Sequence, residues 1–251
     1  MTARAALPLA LALPVALGAP APAPLPAPEQ GRFVVLEPVS GEVQARAAGA
    51  DRYRSLEGRR RYPVGVTVDA QEGAVRLIVA RDGEGGVSRA VFSEGKFTVT
   101  QAPDGDPVAT LRLTGPSYGD VCDDATASST ATAAARRKKR VRRLWGDGRG
   151  AFRTAGRYSA ATVRGTRWLT EDRCDGTVTR VLRGEVEVDD FGAAAPEPAP
   201  TPEPPAGGES PPPASAPGAG GGEGAAPVRP VTDGDGGDVI VSAGGTYVAR
   251  P

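Results

Sequence analysis

Residues 174–188, CDGTVTRVLRGEVEV, contain two short segments in which apolar and polar side chains alternate. The first segment is Thr177–Leu182 and the second is Glu185–Val188. Such alternation is typical of β-strands that bury one face. The Asp175-Gly176 pair in front of the first segment has the chemistry of a tight hairpin turn. The stretch therefore predicts two consecutive β-strands that follow a tight turn.

The same pattern recurs through the preceding part of the chain. Alternating or β-favouring runs occupy Ala74–Ala80, Lys96–Gln101, Val108–Leu113 and Arg153–Trp168. Further Asp-Gly pairs, which predict turns, occur at Asp82-Gly83, Asp104-Gly105 and Asp147-Gly148. Strands that recur about every 8–12 residues predict an all-β fold. We expect a single domain of short, stacked, antiparallel strands arranged as a roll or sandwich.

Composition divides the chain into five segments. Residues 1–18 combine Arg4, the apolar run Ala5–Leu17 and Gly18, the pattern of a secretory signal peptide. A Pro/Ala-rich linker at 19–30 leads into a β domain at 31–191. Residues 192–237 are rich in Pro and Gly and predict a disordered linker, because they hold too few large apolar side chains to form a core. Residues 238–251 predict one or two terminal strands that complete the β domain.

The predicted signal peptide places the protein outside the cytoplasm, secreted and associated with the cell envelope. No other apolar run approaches the length of a transmembrane span. The chain has two cysteines, and an even count in an oxidising compartment favours a disulfide. We predict a bond between Cys122 and Cys174. Two free thiols are the alternative.

The chain contains no histidine, which limits the chemistry that it can perform. Ser-His-Asp and Cys-His catalysis and histidine-ligated metal sites are excluded. Carboxylate-only catalysis stays open at Glu171, Asp172 and Asp175. Hairpin turns explain these acids better, however, so we predict a non-enzymatic protein without catalytic residues, metal or cofactor.

Two groups of side chains are candidates for ligand binding. The aromatic residues could stack on sugars, although core packing is the commoner role for such residues in β proteins; they are Trp145, Phe152, Tyr158 and Trp168. The second group is the basic run 136–143, a candidate site for anionic polymers. Its cations are Arg136, Arg137, Lys138, Lys139, Arg140, Arg142 and Arg143. A solvated loop is the alternative interpretation of this run.

The order of several motifs resembles that of FecR-like extracytoplasmic domains, in particular the secreted actinobacterial proteins that carry them. The first half is represented by Gly41–Gln44, then Tyr53, Leu56 and Gly58, and then Pro63–Gly65, Val68–Ala70 and Gly73–Leu77. The second half is represented by Leu144–Thr154, Ala161–Trp168, Cys174–Thr177 and Val181–Val188. Val241–Tyr247 resembles the closing strand of such domains.

The resemblance implies an all-β roll and an extracytoplasmic interaction role. It does not carry over the role of a transmembrane signal relay, because the chain shows neither a spanning helix nor a cytoplasmic helical segment. We therefore expect an interaction module whose partner is an envelope glycan, an anionic wall polymer or a protein, and not a nucleic acid. A passive envelope scaffold and a carboxylate-dependent glycan-acting enzyme are the alternatives.

Overall fold

The computed structural model describes residues 26–82, 84–122, 138–192 and 238–250. The regular secondary structure in these ranges is almost entirely β-strand, which confirms the predicted all-β class. The predicted signal peptide and nearly all of the predicted linker 192–237 lie outside them. Within these ranges, no helix is long and apolar enough to cross a membrane.

Twelve strands and one short helix make up the described fold. The strands of the first half are β1 Phe33–Arg46, β2 Arg54–Ser55, β3 Arg60–Pro63, β4 Thr67–Ala80, β5 Val87–Gln101 and β6 Ala109–Thr114. Helix α1 spans Tyr118–Cys122. The strands of the second half are β7 Arg140–Ala155, β8 Ser159–Arg173, β9 Gly176–Arg183, β10 Glu185–Asp190, β11 Asp238–Ser242 and β12 Thr246–Ala249.

All described strands belong to one sheet, in the order β11-β10-β8-β7-β6-β5-β4-β1-β2. Strand β3 pairs with β1, and β9 pairs with both β8 and β12. The pairings are antiparallel except for β6 with β7, which is parallel. Several strands are longer than the runs that predicted them; β7, for example, has 16 residues. A long strand can therefore pair with one neighbour along its first half and with another along its second.

Strand β5 shows how the long strands enclose a core. Its residues Arg89–Ser93 pair with β7, and Lys96–Gln101 pair with β6. Between these halves Glu94 has a positive φ of 59°, an unusual conformation for a residue other than glycine. In a straight strand Phe92 and Phe97 would be about 17 Å apart on opposite faces. Their ring centroids are 5.5 Å apart, so the strand bends sharply at Glu94.

An aromatic cluster forms at this bend. Phe92 makes edge-on contacts with Phe152 and Trp168, at centroid distances of 5.7 Å and 5.9 Å. All three rings are fully buried. The indole Nε1 of Trp168 donates a hydrogen bond of 3.0 Å to Thr154 Oγ1, so its polar atom is paired inside the core. The prediction of a core role is thus confirmed for Phe152 and Trp168, and also for Tyr158, which is buried.

The turn predicted at Asp147-Gly148 is wrong, because both residues lie inside β7. The glycines on either side of Asp147 serve close packing instead. A Cβ atom at Gly146 would lie 2.4 Å from the Trp168 ring, and one at Gly148 would lie 2.3 Å from Ala90 Cβ. Glycine is required at these two positions because a larger residue would clash with a neighbour, and not because the chain turns there. A tight turn does join β8 and β9, but its two turn residues are Cys174 and Asp175, and Gly176 is the first residue of β9, opposite Arg173.

The terminal segment forms two strands that pair with the body of the same chain. Strand β11 pairs with β10, and β12 pairs with β9. The hydroxyl of Tyr247 in β12 donates a hydrogen bond of 2.6 Å to Asp190 Oδ2 in β10. Burial and this carboxylate raise the pKa of Tyr247 to about 12. The tyrosine therefore stays a hydrogen-bond donor at neutral pH and links the two terminal pairings.

Two carboxylates face each other where β11 joins the sheet. Asp189 of β10 and Asp238 of β11 are directly opposite, and Asp189 also pairs with Arg153. Burial, reinforced by Asp238, raises the pKa of Asp189. A raised pKa in the folded state means that folding favours the protonated form. The contribution of this pair to stability therefore increases as the pH falls toward the usual aspartate pKa of about 3.9.

We expect Asp238→Asn to stabilise the protein at neutral pH, because it removes a like-charge contact across the strands. Such contacts cost about 0.5 kcal/mol. Urea unfolding at pH 7 and at mildly acidic pH measures the effect, and the gain is expected to shrink at the lower pH. The matched control is Asp104→Asn, in an exposed turn. An equal gain from the control would contradict the role assigned to the Asp189–Asp238 contact.

Candidate anion-binding surface

The described part of the basic run stands at the start of β7. Lys138 and Lys139 precede the strand, Arg140 begins it, and all three side chains are exposed. They form no ion pair within the described residues. The backbone is held locally, because Cys174 N donates a hydrogen bond of 3.0 Å to Lys139 O. Arg136 and Arg137, which the same prediction includes, lie outside the described residues.

The next two predicted cations are engaged within the protein. The guanidinium of Arg142 donates hydrogen bonds of 3.0 Å and 2.8 Å to the carbonyl of Pro116. It also lies over the ring of Tyr118, 5.6 Å from the centroid. Arg143 forms an ion pair with Glu94 at the bend of β5. Arg142 and Arg143 therefore fasten neighbouring segments to β7, and the exposed charge belongs to residues 138–140.

A disulfide closes this end of the sheet. Cys122 at the end of α1 is bonded to Cys174, which follows β8, and the bond confirms the predicted pairing. No free cysteine is present. The bond joins α1 to the turn whose backbone holds Lys139. Helix α1, the end of β8 and the exposed cations thus form one connected unit.

Helix α1 is also anchored through Tyr118. Arg157 lies over its ring at 4.3 Å from the centroid, and Tyr158 contacts it edge-on at 6.1 Å. Burial raises the pKa of Tyr118 strongly, and the nearby carboxylate of Asp172 adds to the shift. The phenol consequently stays neutral, which favours it as a packing group over a nucleophile.

The three carboxylates considered for catalysis do not converge. Asp172 is fully buried, and its Oδ1 accepts hydrogen bonds of 2.7 Å from Thr177 Oγ1 and 2.9 Å from Arg157 N. Glu171 is its neighbour on β8 and points to the opposite face of the sheet. Asp175 forms an ion pair of 3.0 Å with Arg173. Asp172 therefore supports the Gly156–Tyr158 turn, and the three acids share no substrate site.

A second surface feature lies beyond the turn that Arg142 holds. It is an open cleft of about 540 Å³ above strands β4, β5 and β6, which we call the Tyr53 cleft. Its lining residues are Arg46, Tyr53, Thr67, Gln71, Lys96, Thr98, Thr114, Gly115 and Pro116. Most of these side chains are polar. The cleft therefore suits a hydrophilic ligand better than an apolar one.

Tyr53 organises the cations of this cleft. Arg46 and Lys96 lie over its ring, at 5.1 Å and 4.9 Å from the centroid. Lys96 also pairs with Asp69 at 2.7 Å. The hydroxyls of Thr67 and Thr98 are 3.0 Å apart and bonded to each other. Two cations and a row of hydroxyl groups are thus held close together on one face.

Carboxylates border the cleft on one side. A smaller depression of about 160 Å³ is lined by Glu42, Gln44, Asp69, Gln71 and Glu72. Among the residues that the structure describes, no group of three acidic or cysteine side chains has the arrangement to hold a metal ion. The depression therefore contributes a negative border beside the cations of the Tyr53 cleft.

The sequence did not indicate the Tyr53 cleft. Its residues come from five separate segments and form no charge run, and no binding role was predicted for any of them. Lys96 is one of only three lysines in the chain, which was the single available signal. No family model, curated protein or solved structure matches the chain.

Proposed function

We propose that this protein is a non-enzymatic binding module for anionic polymers of the cell envelope, and that it acts outside the cytoplasm. The observation that carries the proposal is the exposure of Lys138, Lys139 and Arg140 at the start of β7, on a backbone fastened by the Cys122–Cys174 bond. A cluster of exposed cations attracts polyanions. The disulfide supports an oxidising compartment.

Two further points support the proposal. The body of the chain, residues 31–191, has 27 basic and 22 acidic side chains, a net charge of +5. Residues 192–251 have a net charge of −5, so the body alone provides the positive surface. The resemblance to FecR-like domains supports an interaction role in the same compartment. Within this proposal the protein holds a polymer and does not cleave it.

We expect the triple variant Lys138→Ala, Lys139→Ala, Arg140→Ala to bind purified cell-envelope fractions about tenfold more weakly at low salt. This estimate follows from about 0.5 kcal/mol for each exposed ionic contact. Binding of the unchanged protein is expected to fall as salt rises, because salt screens exposed charges. Co-sedimentation at a series of protein concentrations, at low and at high salt, measures both effects.

The matched control removes three exposed arginines from other parts of the sheet, namely Arg89, Arg149 and Arg180. It changes the net charge by the same amount and is expected to bind nearly as well as the unchanged protein. An equal loss in both triple variants would show that only total charge matters. Saturable binding whose affinity changes neither with salt nor in the two triple variants would reject residues 138–140 as the binding site.

A further inference from the structure

We propose that the Tyr53 cleft binds one acidic saccharide unit of the polymer, that is, a sugar that carries a carboxylate or a phosphate. The inference rests on the proposed function and names the chemistry that this surface recognises. Arg142 connects the two regions. On strand β7 it comes two residues after Arg140, the last of the exposed cations. Its guanidinium donates hydrogen bonds to the carbonyl of Pro116, which lines the cleft.

Strand register places five polar side chains of the cleft, together with three neighbours outside its lining, in two adjacent rows on one face of the sheet. The first row runs across β1, β4, β5 and β6 through Gln44, Asp69, Lys96 and Thr114. The second row runs across the same strands through Arg46, Thr67, Thr98 and Arg112. Members of a row are direct cross-strand neighbours, and the rows are two residues apart along each strand. The face therefore offers hydroxyl, amide and cationic groups at sheet spacing.

The cations provide the recognition of an anion. Arg46 forms no ion pair within the described residues, and Lys96 pairs only with Asp69 there. Both are held against the ring of Tyr53, so their positions are set before a ligand arrives. Because the two cations lie over the ring, Tyr53 acts as a positioning residue and not as a stacking platform for the sugar.

One hydroxyl group in the cleft lacks a partner. Thr114 Oγ1 is shielded from solvent and forms no hydrogen bond within the described residues. Buried polar atoms are nearly always paired, and five other side-chain atoms of the described residues are unpaired as well, so this hydroxyl supports a ligand here through its place beside the cations of the cleft. Thr114 lies directly opposite Lys96. A ligand that bonds Thr114 would therefore bring its charge close to the Lys96 ammonium.

The lining and the size of the cleft select the ligand class. Its volume of about 540 Å³ lies within the range of small-ligand sites. Such sites are usually lined by apolar side chains, whereas this one is lined chiefly by hydroxyl, amide and charged groups. The hydroxyl groups and the Gln71 amide suit a polyhydroxylated ligand, and Arg46, which has no ion pair among the described residues, suits one that also bears a negative charge.

Calorimetric titration of the full chain tests the inference with three probes. Trigalacturonate carries carboxylates, glucose 6-phosphate carries a phosphate, and maltotriose is neutral. We expect binding of at least one acidic probe at least tenfold tighter than binding of maltotriose. The acidic probe with the higher affinity shows whether the cleft prefers a carboxylate or a phosphate. Equal affinity for the neutral probe, or no binding of either acidic probe, would overturn the inference.

Variants locate the site. Arg46→Gln with Lys96→Gln is expected to weaken binding of the acidic probe at least tenfold, and Arg89→Gln with Arg149→Gln is the control pair. Thr114→Val removes an unpaired hydroxyl and should preserve the thermal unfolding midpoint while weakening binding severalfold. Thr100→Val, on the same face but outside the cleft, is its control. Unchanged binding in both cleft variants would place the probe elsewhere and reject the cleft.

The same measurements separate this inference from the proposed function. In one outcome, the envelope polymer binds through residues 138–140 but the affinity for the acidic probes is the same in the cleft variants. The cleft inference then fails and the proposed function stands. In the other outcome, an acidic probe binds in the cleft but the triple variant at residues 138–140 binds the polymer as well as the unchanged protein. The proposed function then names the wrong surface, and the cleft inference is supported.

Discussion

Loss of the Cys122–Cys174 disulfide is expected to lower the free energy of unfolding by about 4 kcal/mol. The bond spans 52 residues, and the chain-entropy model assigns that cost to releasing a loop of this length in the unfolded state. The double variant Cys122→Ser, Cys174→Ser and reduction of the unchanged protein should give similar losses. Urea unfolding followed by tryptophan fluorescence measures both, because Trp168 is fully buried in the core.

Reductant added to the double serine variant is the control. The chain has no other cysteine, so the unfolding midpoint of that variant should not move. A further consequence concerns binding. Because the bond fastens α1 to the turn that holds Lys139, its loss should weaken polymer binding under conditions where the sheet stays folded. A reduced protein with unchanged stability would show that the other contacts of α1, such as Tyr118, are sufficient.

Phe92→Ala is expected to cost about 3–5 kcal/mol, as is usual when a buried aromatic side chain is removed. Phe92 is fully buried and contacts three other aromatic rings, those of Phe97, Phe152 and Trp168. Removal would leave a cavity at the bend of β5, where the two halves of the sheet meet. Urea unfolding gives the free energy directly.

Phe92→Leu keeps most of the volume and is expected to cost less than the alanine variant, which makes the measurement possible if the alanine variant does not fold. Val39→Ala is the surface control, since Val39 is 45% exposed, and it should change stability by less than about 0.5 kcal/mol. A cost for Phe92→Ala as small as that of Val39→Ala would contradict the central role of the aromatic cluster.

The basic run 136–143 shows what a charge pattern in the sequence can and cannot predict about a binding surface. The run was identifiable because seven cations lie within eight consecutive positions. A charge run does not reveal which of its members have partners, since those partners are distant in sequence. Arg142 binds the carbonyl of Pro116, and Arg143 pairs with Glu94. Only the structure separates these two from the exposed residues 138–140.

The Asp147-Gly148 pair illustrates a second limit. Asp-Gly is a strong local signal for a hairpin turn, and near Asp175-Gly176 a hairpin turn is present, one residue earlier than the pair itself. At Asp147-Gly148 the chain stays extended, because Gly148 packs on Ala90 and Gly146 packs on Trp168. Glycine serves both turns and close packing, and the choice between them depends on a neighbour that the local sequence does not contain.

By itself the sequence determined the all-β class, the disulfide and the core role of Phe152, Tyr158 and Trp168, because alternation, cysteine count and side-chain chemistry act locally or through simple pairing. Trp145, predicted with them, is only half-buried, and the core rings Phe92 and Phe97 were not predicted. The sheet order, the bend at Glu94 and the two polar rows were decided only by tertiary structure. The rows depend on the register of four strands that span Gln44 to Thr114. Register is set by packing across the whole sheet, so a shift of one residue in any strand would turn its polar side chains to the opposite face.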